Sequence, residues 1–165
     1  MKLLGLVTVA AVVVATVAGA VPAAAQEAMD LDRLIDRGGV HVEPGTLEPY
    51  SGPVERMWSA DVVRERGTLA EGRWTGLHEW FHQNGRLSGR ETYQDGVLHG
   101  PAEMYFKSGL LSVRENYTNG ELDGPYESYW TRGALAERGA WRSGRPCGEW
   151  TSFGRPVVFP SCARP

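Results

Sequence analysis

The sequence predicts an all-β protein, a single-layer antiparallel β-meander of tandem 24-residue hairpin repeats with a short N-terminal helix. Three observations lead there. A glycine returns every 24 residues, at Gly52, Gly76, Gly100, Gly124 and Gly148, and a fixed period of that size marks a repeat array. Turn-forming dipeptides recur inside each period. Asn84-Gly85, Asp95-Gly96 and Asn119-Gly120 suit two-residue type I′ hairpins, whose central residues both need positive φ. Ser108-Gly109 and Ser143-Gly144 are weaker versions of the same signal. Two turns per period leave segments of about seven to nine residues rich in Tyr, Trp, Phe, Leu and Val, which is strand length and strand composition.

Taken from the N-terminus, Lys2 precedes an apolar run from Leu3 to Val21, then Pro22 and Ala23-Ala24-Ala25. A basic start, an apolar stretch and a small-residue cleavage site read as a secretory signal peptide over residues 1–25. An uncleaved anchor is the alternative, because the run approaches the ~18 residues that begin to suffice for a span. Residues 26–46 form an N-terminal segment. There Asp30 to Arg37 reads as a short helix capped by Asp30, with Leu31, Leu34 and Ile35 as its apolar stripe and Gly38-Gly39 as its stop. The repeat array occupies residues 47–154. A proline-rich tail, residues 155–165, closes the chain. Cys147 and Cys162 stand 15 residues apart. In an oxidising compartment an even pair closes, and a 15-residue loop gains about 3 kcal/mol in the chain-entropy model. The bridge would staple the tail to the last repeat.

With the recurring glycine as position zero, Glu recurs at +3 (Glu55, Glu79, Glu103, Glu127) and Arg at +14 (Arg66, Arg90, Arg114, Arg138). A large residue recurs at +5 (Met57, Phe81, Tyr105, Tyr129, Phe153), and an aliphatic one at +11 (Val63, Leu87, Leu111, Leu135). If +8 and +9 form the loop, +3 faces +14, giving the opposite-charge pairs Glu79–Arg90, Glu103–Arg114 and Glu127–Arg138. The same register sets +6 opposite +11, as Phe106–Leu111 and Trp130–Leu135. At the second turn +17 faces +22, as Tyr93–Leu98 and Tyr117–Leu122. Such cross-strand pairs contribute about 0.2–1 kcal/mol each. Alternation then places +6, +11, +17 and +22 on one apolar face, and Glu, Arg and the +5 rings on the other. The first copy is degraded, with Ala60-Asp61 at its turn, and the last stops near Gly154. Atypical end units are what a stack needs.

Composition excludes several functions. The net charge is −3, and −4 once Lys2 leaves with the leader. Nucleic-acid binding leans on surplus Lys and Arg, and docking on anionic lipid leans on the same surplus, so neither partner is expected. His78-Glu79-Trp80-Phe81-His82 matches H-E-x-x-H, a zinc-peptidase signature that works on a helix. In this array the segment is a strand and Glu79 is the repeat's +3 Glu. On a strand i and i+4 lie about 13 Å apart, too far to share one metal. The glycines belong to hairpins, with no helix behind them to hold phosphate.

The recurring G-P-x-E-x-Y/F-x-x-x-G-x-L, followed by R-x-x-Y and N/D-G, resembles the variant MORN (membrane occupation and recognition nexus) repeat of bacteria. The likeness covers roughly residues 50–154 and is best in the copies at Gly76, Gly100 and Gly124. The resemblance implies an elongated single-layer antiparallel array acting as a scaffold or binding surface, with no catalytic residue and no cofactor. The expected function is therefore an exported, non-enzymatic interaction module in the periplasm or outside a bacterium, meeting a protein partner. The alternative is a module that binds glycan or peptidoglycan through Phe81, Tyr105, Tyr129 and Phe153. A zinc peptidase built on His78 and His82 is a distant third.

Overall fold

The computed structural model describes residues 27–163, and the expected leader lies outside them. Its strands are β1 (Met29–Asp30), β2 (Ile35–Asp36), β3 (His41–Val42), β4 (Gly52–Ser59), β5 (Val62–Ala70), β6 (Arg73–Phe81) and β7 (Leu87–Gln94). They continue as β8 (Val97–Tyr105), β9 (Leu111–Thr118), β10 (Glu121–Leu122), β11 (Gly124–Tyr129), β12 (Leu135–Arg142), β13 (Arg145–Ser152) and β14 (Arg155–Val158). One 12-stranded sheet runs in chain order from β4 to β14, with β10 beside β9 and β1 against the edge of β4. Among the described residues, β1 and β4 are the one pair of strands that run parallel. The all-β meander expected from the 24-residue period is thus the observed fold.

Two kinds of turn alternate along the array. At the second turn both central residues have positive φ: Asp95 51° and Gly96 81°, Asn119 50° and Gly120 84°, Ser143 47° and Gly144 72°. These are the expected type I′ hairpins. The first turn differs. Phe106 N donates to Leu110 O at 2.9 Å, and Gly109 N donates to Phe106 O at 2.8 Å. The loop is therefore three residues, +7 to +9, with the glycine in the left-handed region (Gly85 φ 77°, Gly109 φ 91°). Asn84 serves this loop through its side chain, accepting from Arg86 N at 3.2 Å and donating to Lys107 O at 3.1 Å.

The longer loop corrects the expected register. Phe106–Leu111 and Trp130–Leu135 are not pairs; Phe81 faces Leu87, Tyr105 faces Leu111 and Tyr129 faces Leu135. Directly opposite residues share a face, so +11 stands with the +5 rings and not with +17 and +22. A bulge next to the +5/+11 pair then restores the count, and Glu79–Arg90, Glu103–Arg114 and Glu127–Arg138 face each other as expected. Tyr93–Leu98 and Tyr117–Leu122 also hold.

The glycine that defines the period sits in a second bulge. Between the pairs Glu91–Ala102 and Tyr93–Leu98, one residue, Thr92, opposes His99-Gly100-Pro101. Gly100 takes φ 111°, and Pro101 loses nothing there because a bulged residue need not donate to the ladder.

The ends depart from expectation. In place of a helix over Asp30–Arg37, the chain makes one 3-10 turn, Leu31–Arg33, capped by the Asp30 carboxylate, which accepts from Asp32 N at 3.0 Å. Ile35 and Asp36 instead form β2, paired with β3 across Gly38-Gly39, both at positive φ. Two successive left-handed glycines favour a hairpin over helix continuation. Leu31 and Leu34 do pack, joining Tyr50, Val54, Leu69 and Trp74 in the one buried apolar cluster among the described residues, while Ile35 is exposed. Ala60-Asp61 closes its hairpin despite poor turn chemistry. At the other end the sheet continues past Gly154 by one strand, β14. The Cys147–Cys162 disulfide is formed. Phe159 N donates to Gly148 O at 2.9 Å, and Gly148 N to Pro160 O at 2.8 Å, so the tail is fastened to β13 by backbone as well.

Candidate functional site

The +3 and +14 residues build a ladder across the whole sheet. In register the order is Glu55, Arg66, Glu79, Arg90, Glu103, Arg114, Glu127, Arg138 and finally Thr151. Charges alternate strand by strand, so every Glu after the first stands between two Arg. The period-zero bulge makes this possible. It inserts the residues that bring +14 opposite the +3 Glu of the next copy, a pairing the within-repeat reading did not contain.

Side chains exploit the arrangement unevenly. Glu103 accepts from Arg90 Nε at 2.7 Å and from Arg114 Nε at 2.9 Å. Glu127 accepts from Arg138 Nε at 3.0 Å, with Arg114 Nη1 at 3.7 Å on its other side. Glu79 is held by Arg66 at 2.7 Å, across the copy boundary. A hydroxyl completes two rungs: Tyr105 donates to Glu103 at 2.6 Å and Tyr129 to Glu127 at 2.7 Å. Residues i and i+2 share a face of a strand, so a Glu-x-Tyr spacing delivers this bond. The same spacing works on the opposite face, where Tyr93 donates to Glu91 and Tyr117 to Glu115, both at 2.8 Å.

Burial and bonding set the protonation of these groups. Burial pushes the Glu103 carboxyl up, but hydrogen bonds from Tyr105, Arg114 and Arg90 outweigh it and hold it below the usual carboxylate range. The Tyr129 hydroxyl and Arg138 lower Glu127 likewise. Burial, then the bond to Glu91, raises the Tyr93 hydroxyl. The ladder carboxylates lie under the arginines. Glu79, Glu103 and Glu127 side chains are 16, 9 and 20% exposed, against 56, 46, 52 and 63% for Arg66, Arg90, Arg114 and Arg138. What solvent meets is therefore a row of guanidiniums.

The expected aromatic row is present with one correction. Phe81, Tyr105 and Tyr129 end their strands on the ladder face, and Arg66 lies over the Phe81 ring at 5.0 Å. Phe153 is not in a strand. It takes φ 49° in the type I′ turn before β14, is 64% exposed, and packs at 5.6 Å on Trp130.

The opposite face holds a polar cluster that sequence reasoning missed. His78 Nε2 and Glu65 Oε1 are 2.8 Å apart and both residues are buried. Arg56 bridges Glu65 at 3.0 Å to Asp32 of the N-terminal turn at 2.7 Å. The Trp74 ring stacks on His78 at 3.9 Å, and Trp80 lies at 4.3 Å. Burial raises the Glu65 carboxyl, but its bond to His78 and the charges around it lower it on balance. The corresponding copies carry Gly89 and Ala102, Val113 and Tyr126, or Glu137 and Trp150, so the Glu–His pair does not recur and no periodicity announced it. The H-E-x-x-H segment is strand β6. His78 is committed to Glu65, Glu79 points to the ladder, and His82 Nε2 meets Tyr105 O at 3.0 Å. Among the described residues no group of three His, Cys, Asp or Glu is placed to hold a metal ion.

Turn-to-turn bonds repeat with the same period. Gly72, Gly96, Gly120 and Gly144 donate N–H to the carbonyls of Tyr50, Trp74, Leu98 and Leu122 at 2.8–2.9 Å. Each joins one copy's turn to the copy before it. Comparison with models of known protein families finds no match, and comparison with curated proteins finds none either.

Proposed function

We propose that the chain is an exported, non-enzymatic scaffold of MORN-like repeats, working in the periplasm or outside a bacterium and presenting its sheet to a protein partner. The observation that carries the reading is the ladder face: one layer thick, accessible, and repeated from copy to copy without an aperiodic cluster of reactive groups upon it. The closed Cys147–Cys162 bridge is in keeping with an oxidising compartment. Proximity labelling of the exported chain in its native cell tests the proposal. The scaffold reading expects the same neighbours from wild-type chain and from a variant altered on the opposite face, and their loss when Arg90 and Arg114 are replaced. Labelling no different from an unrelated exported control would end it.

A second reading is a module for an envelope polymer, glycan or peptidoglycan. The row Phe81, Tyr105 and Tyr129, one ring per copy beside the ladder, favours it, because aromatic rings offer amphipathic contact surfaces. Loss of polysaccharide retention in Tyr105→Ala plus Tyr129→Ala is the expected result. Retention unchanged, or absent in the wild type, sinks it.

A further inference from the structure

We infer that the ladder face takes a linear polysaccharide carrying carboxylate groups, laid across the strands along the arginine row and anchored at Arg138. The inference rests on the polymer reading and adds the charge of the ligand and the end at which it is held. The arginines recur on every second strand, hence about 9.5 Å apart, close to the advance of two linked hexoses. A guanidinium has five N–H donors. Arg90 and Arg138 each engage a ladder carboxylate through Nε and Nη2, which leaves donors on the solvent side for a second, bidentate anion.

The rest of the face suits a sugar chain. On one side of the arginines stand the +5 rings; on the other stand the exposed Leu77, Pro101 and Pro125. On the ladder face the four arginines match Glu55, Glu79, Glu103 and Glu127 in number and stand further into solvent than Glu79, Glu103 and Glu127, whereas Glu65, Glu91, Glu115 and Glu137 lie on the opposite face, so the ladder face is the less repulsive of the two to an anion.

Arg138 is the strongest point of the row. Arg66, Arg90 and Arg114 each face a Glu on both neighbouring strands, whereas Arg138 faces Glu127 on one side and Thr151 on the other. It is also the most exposed of the four. It opens into a cleft of about 360 Å³ lined by Thr151, Pro156, Val157, Trp150 and Glu149. Glu149 occupies the place of Pro101 and Pro125, and as the cleft's one carboxylate it opposes an anionic ligand.

The test measures binding of the full mature chain to polygalacturonate, its methyl ester, neutral dextran and phosphatidylglycerol vesicles. Polygalacturonate is expected to bind, more weakly as salt rises, and about tenfold more tightly than the uncharged ester. Thr151→Glu completes the ladder beside Arg138, so it should weaken binding several-fold with the unfolding temperature unchanged or raised. Glu149→Gln should strengthen it, and Arg138→Lys should fall between wild type and Arg138→Gln. Ester and acid binding alike would overturn the carboxylate inference and leave the polymer reading standing. Binding to none of the polysaccharides would overturn both. Vesicles bound in preference to polygalacturonate, or a folded Thr151→Glu chain binding as wild type, would also refute the inference.

Discussion

At the N-terminal end Leu31, Tyr50, Val54 and Leu69 meet in a buried cluster, and at the C-terminal end Trp150 lies against Tyr126, Trp141 and Phe159 and donates through Nε1 to the carbonyl of the disulfide-bonded Cys147 at 3.1 Å. Between them, from Leu87 to Tyr129, the buried side chains are Ala102 and Glu103. The middle copies have no second layer to pack against, so apolar burial cannot hold them as it holds the ends. They rely on backbone pairing, the Glu/Arg ladder and the turn-to-turn bonds. A sheet one layer thick is thus clamped at its ends and zipped between them, as expected of a stack whose copies touch only their neighbours.

The contrast is broken most severely at the ends. Leu69→Ala removes one of the two largest fully buried side chains and should cost about 2–5 kcal/mol in denaturant unfolding. Cys147→Ser with Cys162→Ser should cost about 3 kcal/mol, with the loss of exchange protection centred on β13 and β14. In the middle, Glu103→Gln weakens bonds to Arg90, Arg114 and Tyr105 and should cost about 1.5–3 kcal/mol. Tyr105→Phe deletes one of those bonds and should cost about 0.5–1.5 kcal/mol. If the middle substitutions matched Leu69→Ala, the division between clamped ends and zipped centre would be wrong.

Acid sharpens the same comparison. Glu65, Glu103 and Glu127 are held below their ordinary range in the folded chain. A carboxyl depressed in this way contributes stability that is fully present above its unfolded pKa, about 4.3, and is lost as pH falls through its lower folded value. Stability should therefore hold near neutrality and fall below about pH 4. Hydrogen exchange should rise first over β8 to β11, where the ladder has least burial to support it.

Much of this was legible in the residues, for physical reasons that can be traced. The Glu/Arg pairs within a repeat could be read because both charge types recur in the four copies from Gly52 to Gly124, so register and chemistry agreed. The +6/+11 pairing misled because an Asn-Gly or Ser-Gly dipeptide does not itself distinguish a two-residue loop from a three-residue loop with one left-handed glycine. The ladder's continuity across copies was hidden by the bulge at Gly100-Pro101, whose extra residues change the count. Asp30 was recognisable as a cap, but Gly38-Gly39 turned the following segment into a hairpin. The Glu65–His78 pair left no trace, since no other copy joins a Glu at the first position to a His at the second: the counterparts are Gly89 and Ala102, Val113 and Tyr126, and Glu137 and Trp150.

The clamped ends and zipped centre both depend on the register of the ladder, which cross-strand nuclear Overhauser contacts in the folded chain read out. Glu103 is expected to show backbone contacts to both Arg90 and Arg114, and Arg73–Phe81 to show strand shifts with contacts to β5 and β7. Helical shifts over Arg73–Phe81, or a Glu103 with only one arginine neighbour, would contradict that register.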